Sequence, residues 1–515
     1  MRNQPSHPGV LTRAAMPWLF TLAAVSASHT CFGGAPASAP QILMTYQTTS
    51  DDPQRPAEYL RAGPIRLKFA DGELRYLRVG DKEIIRRIYF AVRDGNWATP
   101  VPRFTQMDVE KADDHFTIRL AATCKMKAVD YQWSGVITGD ADGKITFRAE
   151  GTPNADFDSN RIGLCVLYGN GSLAGQSFQT DGATPKGVFP PLVSPKLVAE
   201  KFYALRYATA DGLNVACSVE GATFDMEDQR NWGDSSWKAY APLPYAYPHV
   251  TKGDKKLQTV TLTVGGKTNA QPSPQDPVRL RIGQAIPGAK IPKLAPAADF
   301  GKSVIFSDIN FNRGKFAEAK TITWKYTPTI HLPDNDTIME TLPAVADEAY
   351  TVKTFAPHAA VRVGPITLAE HGHDPREATP FAAAWAAALV KSLAQGGVEE
   401  AAFELTPGPA APALEALKPY AGHELLEVQT DPHDSHHVVA YAIKDGDGAA
   451  LLVINHTPRA WHAIVENLGA ARTVKSQQLS PDAGSEQNAQ VNDGKLNVDL
   501  APFEVLRVVI PSAEK

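Results

Sequence analysis

Segments with the sequence patterns of strands and helices alternate between about residues 304 and 420, and this alternation limits the possible folds more than any other part of the chain. Short apolar runs such as Val361 to Leu368 read as strands, and each is followed by a helical pattern. The clearest helix is predicted from Pro380 to Gln395, because Phe381 and Leu389 fall at helical spacing before a glycine pair. Strand and helix units in this order build a parallel sheet covered by helices.

The number of these units limits the architecture. Four β/α units fit between about residues 304 and 420, whereas a complete barrel has eight and typically needs about 250 residues. The segment before residue 304 leaves room for one further strand at most. The sequence therefore predicts a partial (truncated) TIM-type β/α barrel domain at residues 281–423.

The chain on either side of this domain has the two-residue apolar period of strands. Ile65, Leu67 and Phe69 alternate with basic residues before an Asp-Gly turn, and similar runs continue to about residue 266. We predict an N-terminal antiparallel β-sandwich domain at 40–266, a linker rich in proline and polar residues at 267–280, and a small C-terminal β-sandwich domain at 424–515. The predicted fold class is thus a multidomain β plus α/β chain.

An open parallel sheet raises the question of what covers it. Strands of parallel sheets are apolar on both faces, so a sheet of four would need a cover. Either the N-terminal sandwich or a second copy of the chain supplies it, and a homodimer is therefore one hypothesis.

The first residues have the sequence pattern of a secretory signal peptide. Arg2 and Arg13 precede an apolar stretch from Ala14 to Ala27, and small residues follow up to Ala37. We predict a signal peptide at 1–37 with cleavage near Ala37, a periplasmic or secreted protein, and no membrane span, because the stretch is too short. A lipid anchor on Cys31 is the alternative.

Charge and cysteine content exclude several classes of function. Lys plus Arg is 51 and Asp plus Glu is 56, which gives a net charge of −5 without a basic block, so no nucleic acid partner is expected. Cys124, Cys165 and Cys217 lie in strand-like contexts that favour buried thiols, although one disulfide among them stays open. The short His-rich loops at 371–374 and 433–437 do not repeat a known ligand spacing, so neither a metal nor another cofactor is predicted.

The densest polar chemistry lies in the run from Phe224 to Tyr240. Aromatic rings interleaved with planar polar groups suit a sugar, because a ring covers the C–H face while polar side chains hold the hydroxyls. This interpretation assigns substrate contacts to four residues: Glu227, Asp228, Arg230 and Trp232. The alternative is a structural ion-pair loop in which Arg230 pairs with Glu227 or Asp228 and joins two domains.

The same run resembles a Glu-Asp-Gln-Arg-Asn-Trp segment of the D-apionate lactonases, sugar-acid hydrolases with a β-rich N-terminal domain, an (α/β)-barrel and a small β C-terminal domain. Further stretches that are similar to this family are Arg61–Pro64, Leu74–Tyr76, Ile88–Trp97 and Asn160–Leu167. The resemblance implies that the first half of the barrel is largely missing here. It also implies that Phe306–Asn310 corresponds to a Glu-Leu-Asn segment, with Asp308 in place of Glu.

Reactive groups of a β/α barrel stand at the carboxyl ends of its strands. Lactone opening needs a base for water, a donor for the oxyanion and an acid for the leaving alkoxide. We predict Asp308 and Glu404 as the acid/base pair, with Asn310 and Arg313 holding the substrate. Other polar residues that follow strands are Glu370, His371, His373 and His331, of which His371 is predicted to contact substrate. The alternative for Asp308 and Glu404 is ordinary capping or solvation.

Three functions remain open at this point. The first is a secreted carboxylic-ester hydrolase that opens a sugar-acid lactone by acid/base-assisted attack of water without a cofactor. The second is a non-catalytic carbohydrate-binding or scaffold protein with a degenerate barrel, and the third is a glycoside hydrolase, which also uses two carboxylates. A secreted location and the intracellular substrate implied by the family favour a different sugar.

Overall fold

The computed structural model describes residues 57–242, 249–266, 277–301, 303–329, 334–431, 437–468, 472–480 and 482–511. Outside these ranges lie the predicted signal peptide, Cys31, most of the predicted linker, His331 and the 433–436 part of one His-rich loop. Within them, no helix is long and apolar enough to cross a membrane.

Strands β1 to β19 are Glu58–Ala62, Ile65–Ala70, Glu73–Val79, Lys82–Arg93, Pro102–Lys111, Phe116–Met126, Val129–Gly139, Lys144–Pro153, Phe157–Asp158, Arg161–Gly169, Ser177–Thr180, Lys186–Val188, Ala199–Phe202, Ala204–Ala208, Asn214–Glu220, Phe224–Asp228, Ser236–Tyr240, His249–Val250 and Lys256–Gly265. Strands β20 to β33 are Val278–Lys290, Lys293–Leu294, Val304–Ile305, Thr321–Tyr326, Ala360–Ile366, Glu400–Phe403, Glu424–Asp431, Val438–Asp445, Gly448–Asn455, Trp461–Glu466, Thr473–Ser480, Gln487–Gln490, Leu496–Leu500 and Val505–Ile510.

Helices α1 to α7 are Asn170–Leu173, Phe306–Phe311, Arg313–Phe316, Asn335–Glu340, Ala344–Phe355, Pro380–Gln395 and Ala410–Leu417. Short 3-10 helices occupy Gln229–Trp232, Ala297–Phe300, Pro375–Ala378 and Lys418–Tyr420. The bounds of α6 are those that its apolar spacing predicted.

The N-terminal part is the predicted antiparallel sandwich. One sheet has the order β1-β2-β3-β4-β10-β17-β16-β13, and the other has the order β12-β11-β14-β15-β19-β8-β7-β6-β5. Their inner faces share one apolar core, in which Phe90 of β4 stacks on Trp133 of β7 at 4.7 Å. Cys124, Cys165 and Cys217 are buried free thiols, as their strand contexts favoured.

The central sheet is parallel, with the order β21-β25-β24-β23-β22. Strand β21 comes first in the chain yet pairs with β25, the last, as the first and last strands of a closed barrel do. The connection from β21 to β22 joins opposite edges of the sheet and occupies the place of the absent strands. The prediction of a partial barrel is therefore confirmed.

One face of this sheet is covered by helices. Ile322, Trp324, Val361 and Val363 belong to the same apolar cluster as residues of α2, α5 and α6. This packing explains why α6 is buried along nearly its whole length.

The other face is polar, so the expectation of two apolar faces is wrong for this sheet. Glu400 pairs with Arg362 at 2.9 Å and with Lys293 at 3.0 Å, and Lys325 is exposed. Phe300, on the connection from β21 to β22, lies under the Arg362 guanidinium at 4.2 Å. Because charged side chains can face water, this sheet needs no second chain as a cover. The homodimer stays a hypothesis.

The C-terminal sheet has the order β31-β30-β33-β28-β27-β26-β20-β29-β32. Strands near its two ends contribute to one apolar cluster, as expected for a sheet that curls over itself. Strand β20 pairs with β26 and β29, so residues 281–290, which the sequence placed in the barrel domain, join this sheet instead.

Candidate functional site

The 3-10 helix Gln229–Trp232 connects the sandwich to the barrel domain, and its key contact is a buried ion pair. Asp228 caps this helix and pairs with the wholly buried Arg230, whose Nε and Nη2 lie 2.9 and 2.7 Å from its carboxylate oxygens. Arg230 Nη1 also donates to Asp347 of α5 at 3.0 Å. The backbone carbonyls of residues 190–192 accept its remaining N–H groups.

These contacts leave Arg230 no donor for a substrate. The structure gives Asp228 and Arg230 the role of the structural alternative, an ion pair that joins two domains. Glu227 is half-buried and accepts a hydrogen bond from Gln229 Nε2 at 3.0 Å.

Asn310 and Arg313 continue the same network. Asn310 Nδ2 donates to Asn231 Oδ1 at 2.6 Å, and its own Oδ1 accepts from Arg313 Nε at 2.7 Å. Arg313 Nη2 donates to the Val193 carbonyl at 2.6 Å. The two residues predicted to hold substrate therefore hold α2 and α3 against the sandwich.

Asp308 and Glu404, the predicted acid/base pair, both follow strands of the barrel domain. Asp308 is exposed in α2 after β22, and Glu404 is exposed after β25. These strands lie three positions apart in the order of a sheet that curves as part of a barrel, and the acid/base role of the two residues stays a prediction. His371 is exposed in the loop after β24.

A narrow cleft lies at the carboxyl ends of β22 and β23, where barrel enzymes place their chemistry. It encloses about 30 Å³, which is room for about one water, and opens toward solvent. Trp232, half-buried and edge-on to Phe311 at 6.2 Å, forms part of its wall. The lining residues are Asn231, Trp232, Gly233, Ile305, Phe306, Lys325, Tyr326, Thr327, Glu348 and Glu370.

Glu348 of α5 is the most unusual group in this cleft. Its side chain is 1% exposed, and Trp324 Nε1 donates to Oε2 at 2.7 Å. Among the residues that the structure describes, none bonds Oε1, and the buried Thr327 hydroxyl also lacks a partner there. Burial raises the pKa of Glu348 well above its usual range, although the Trp324 bond opposes the shift. Burial therefore favours the protonated form of this carboxyl.

Sequence reasoning missed Glu348, although a signal exists. It falls between Val345, Ala349 and Val352 on the apolar stripe of α5, where an acid is out of place. Glu370, which was named among the polar residues after strands, does line the cleft, and so does Trp232.

A cluster of positive charge lies on the outer face of the first sandwich sheet. Arg93 and Arg161 are direct cross-strand partners on β4 and β10, both are buried, and within the described ranges neither Nε has a hydrogen-bond partner. Lys238 of β17 is also buried and donates to Gln229 Oε1 at 2.8 Å. Burial, together with the two arginines, lowers the pKa of Lys238 to about 7. Such a cluster favours an anionic group, and the carboxylates of Glu227 and Asp234 already lie close enough to interact with Arg161 and Lys238, respectively.

Two domains of known proteins match this chain. The N-terminal domain of D-apionate lactonase matches residues 45–267, and the TIM barrel domain of D-apionate lactonase matches residues 272–440. A D-apionate lactonase of Brucella anthropi is 26% identical over 360 residues, which are 64% of this chain and 57% of the relative. The chain thus spans little more than half the length of the curated relative it matches.

Solved structures are more distant. A bifunctional glucanase-xylanase from a metagenome library is 14% identical, covers 38% of this chain and 44% of its own, and has a TM-score of 0.31. A putative aldose 1-epimerase from Escherichia coli K12 is 12% identical, covers 41% of this chain and 99% of its own, and has a TM-score of 0.30. These scores are too low to carry an argument. The two domain matches together span well over half of the sequence, and the chain belongs to the D-apionate lactonase family.

Proposed function

We propose that this protein hydrolyses a sugar-acid lactone in the cleft between the 3-10 helix Gln229–Trp232 and the ends of β22 and β23. The observation that carries the proposal is Glu348, a buried carboxyl with one unpartnered oxygen at the floor of a cleft that also holds a second carboxyl. Family membership and the activity named for the Brucella anthropi relative support the reaction class.

The reaction assigns different roles to the two carboxyls. Glu370 is exposed, and as a carboxylate it takes a proton from the water that attacks the lactone carbonyl. Glu348 acts in its protonated form, which burial favours, and donates its proton to the ring oxygen as the acyl C–O bond breaks. One water is added, and the products are an alcohol and a carboxylic acid, which ionises and releases one proton to solvent. Glu370 then loses the proton that it took and Glu348 regains one, which restores both carboxyls. Trp232 covers the C–H face of the sugar, and Lys325 at the cleft wall supplies positive charge near the oxyanion.

The cationic cluster supports the same substrate class. Arg93, Arg161 and Lys238 gather positive charge on a face of the sandwich sheet, and hydrolysis of a lactone generates a carboxylate. We assign this cluster to attraction of the acidic product or of a substrate that already carries a carboxylate.

The test is acid release from a panel of aldonolactones, including D-apionolactone. We expect Glu348→Gln to lower kcat at least about 100-fold, because the amide keeps the shape but cannot donate the proton. The Asp308→Asn, Glu404→Gln double variant is the matched control and should stay within a few-fold of wild type. If the double variant loses activity while Glu348→Gln keeps full activity, the acid/base residues are Asp308 and Glu404, and the role proposed for Glu348 is wrong.

A non-catalytic carbohydrate-binding protein is the second candidate. The observations that favour it are a parallel sheet of five strands instead of eight and a cleft with room for about one water. Absence of acid release from every lactone, with saturable sugar-dependent change of tryptophan fluorescence, would establish it. A glycoside hydrolase would instead release nitrophenol from aryl glycosides.

We further propose a periplasmic or secreted location for the mature protein. The charged and apolar pattern of residues 1–37 supports it, and N-terminal sequencing of the protein recovered from the periplasm or the medium tests it. A mature protein that retains Met1 would refute it.

Light scattering at high protein concentration tests the homodimer, and a monomer mass throughout would remove it.

A further inference from the structure

A second, wider cleft lies at the edge of the C-terminal sheet, beside β29 and β32. It is shallow and largely open to solvent, with a volume of about 540 Å³, which is within the range of small-molecule sites. None of its lining residues belongs to the cleft that holds Glu348. The lining residues are Ala460, Trp461, His462, Asp499, Leu500, Ala501 and Glu504.

The two loops that flank this cleft are fixed by one buried side chain. Asn455 has no exposed surface, and its Nδ2 donates to the carbonyls of Arg459 at 2.6 Å and Ala501 at 2.8 Å. Its Oδ1 accepts from the Thr457 backbone N–H and hydroxyl, both at 2.9 Å. A site held in this way needs little ordering when a ligand binds, which lowers the entropic cost of binding.

Trp461 is the aromatic group of the cleft. Its Nε1 donates to Thr457 Oγ1 at 2.8 Å, and its ring packs against that of His437 with centroids 4.3 Å apart. The indole is only half-buried, although its polar N–H is satisfied within the protein. A fixed and partly open indole is suited to the C–H face of a sugar ring.

Polar groups from the next cross-strand position also line this cleft, although their side chains point to the opposite face of the strand pair from the indole. His462 Nδ1 and Asp499 Oδ1 are 2.7 Å apart, and the Asp499 side chain is 93% exposed. Glu504 is buried, accepts from the Ala501 N–H at 2.7 Å, and has a pKa raised by burial. Carboxyl and imidazole groups bind sugar hydroxyls, while the carboxylate of Asp499 disfavours an anionic ligand.

We propose that this cleft is a carbohydrate-binding site for the neutral sugar units of an oligosaccharide. The proposal does not depend on the hydrolytic function, because it rests on another sheet and on other residues. It gives the C-terminal domain a role in holding the protein on a neutral glycan.

The experiment is calorimetric titration of the full chain with xylohexaose, cellohexaose and galactohexaose, with an oligogalacturonate as the anionic comparison. We expect saturable binding of at least one neutral hexaose and a Kd at least tenfold higher in Trp461→Ala. Asp499→Ala, a change at the surface, should raise the Kd several-fold without affecting the fold. Trp97→Ala is the matched control, since this tryptophan is 53% exposed on the N-terminal sandwich, and it should keep the wild-type Kd.

Three outcomes would overturn the proposal. They are the absence of saturable binding of every neutral hexaose, a Kd that neither Trp461→Ala nor Asp499→Ala changes, and tighter binding of the oligogalacturonate than of the neutral sugars. A melting curve establishes that each variant is folded. If Trp461→Ala does not fold, the Kd of Asp499→Ala tests the proposal. Hydrolysis of small lactones by Trp461→Ala should equal that of wild type.

Discussion

Two buried acidic groups near the contact between the sandwich and the barrel domain differ in their partners. Asp228 receives four hydrogen bonds, three from Arg230 and one from the Ser194 N–H. Glu348 receives one, from Trp324, and within the described ranges its second oxygen has no partner. Both residues are 1% exposed, so burial alone does not distinguish them.

The number of hydrogen bonds that each buried acid receives shows which one is available for chemistry. A saturated buried carboxylate is already committed to holding two segments together. An unsaturated one costs stability and retains the capacity to bind or to transfer a proton. Removing each group should therefore have opposite consequences for stability and activity.

The largest expected effect on stability comes from Asp228→Ala. This change leaves Arg230 buried without its main partner, which costs about 3–5 kcal/mol of unfolding free energy. Urea unfolding of the full chain measures it. Asp308→Ala, at an exposed carboxylate, is the control and should change stability by no more than about 0.5 kcal/mol. Equal stability of the two variants would remove the distinction between the two buried acids.

Glu348→Gln should change the pH dependence of stability. The pKa of Glu348 is raised in the folded protein above its ordinary value of 4.5, so its contribution to stability is complete below pH 4.5 and is lost as pH rises. Relative to wild type, the variant should gain about 1.4 kcal/mol for each pH unit above 4.5, until the folded carboxyl ionises. Unfolding at pH 5 and pH 8 measures this gain, and parallel pH profiles would contradict it.

A third acidic group, Glu340, should lose its contribution to stability over a narrower pH range. Glu340 lies near Arg75 Nη1 at 3.3 Å, yet burial raises its pKa from 4.5 to about 7. Its stabilising contribution should therefore fall between about pH 4.5 and 7, and Glu340→Gln should remove this slope. Asp334 is the matched contrast, because its arginine partners overcome burial and lower its pKa, so it loses its contribution as pH falls. Identical slopes for Glu340→Gln and wild type would contradict the shift.

The smallest expected effect is that of Arg93→Met. Arg93 lies opposite Arg161 on the neighbouring strand, and removal of one like charge should leave the free energy of unfolding unchanged or raise it by up to about 1 kcal/mol. Inhibition by an aldonate should weaken in the same variant if the cluster attracts a carboxylate. A large loss of stability would instead give Arg93 a structural role.

Local patterns were sufficient for much of the fold. The alternation of Ile65, Leu67 and Phe69 predicted strands, and the spacing within Pro380–Gln395 predicted α6 with its bounds. Strand β20 was missed, because Val278–Lys290 follows a proline-rich segment and its pairing partners, β26 and β29, come more than 130 residues later.

The site was harder to predict, because it depends on contacts between distant segments. The sequence showed that the run around Arg230 is important, but it left open whether Arg230 binds substrate or forms an ion pair. The structure shows an ion pair with Asp347, which lies on α5, more than 100 residues later in the chain. Asp308 and Glu404 do follow strands, but the distance between their side chains depends on the order and curvature of the sheet, which the sequence of neither strand gives. Glu348 required the fold to show that its helix faces the sheet at Trp324.

Proton donation by Glu348 in this cleft is tested most directly by the pH dependence of acid release by wild type and Glu348→Gln. Wild-type kcat should fall at high pH as Glu348 loses its proton and at low pH as Glu370 gains one, and the variant should be at least about 100-fold slower and lack the fall at high pH. Equal kcat values for the two proteins at every pH would contradict it.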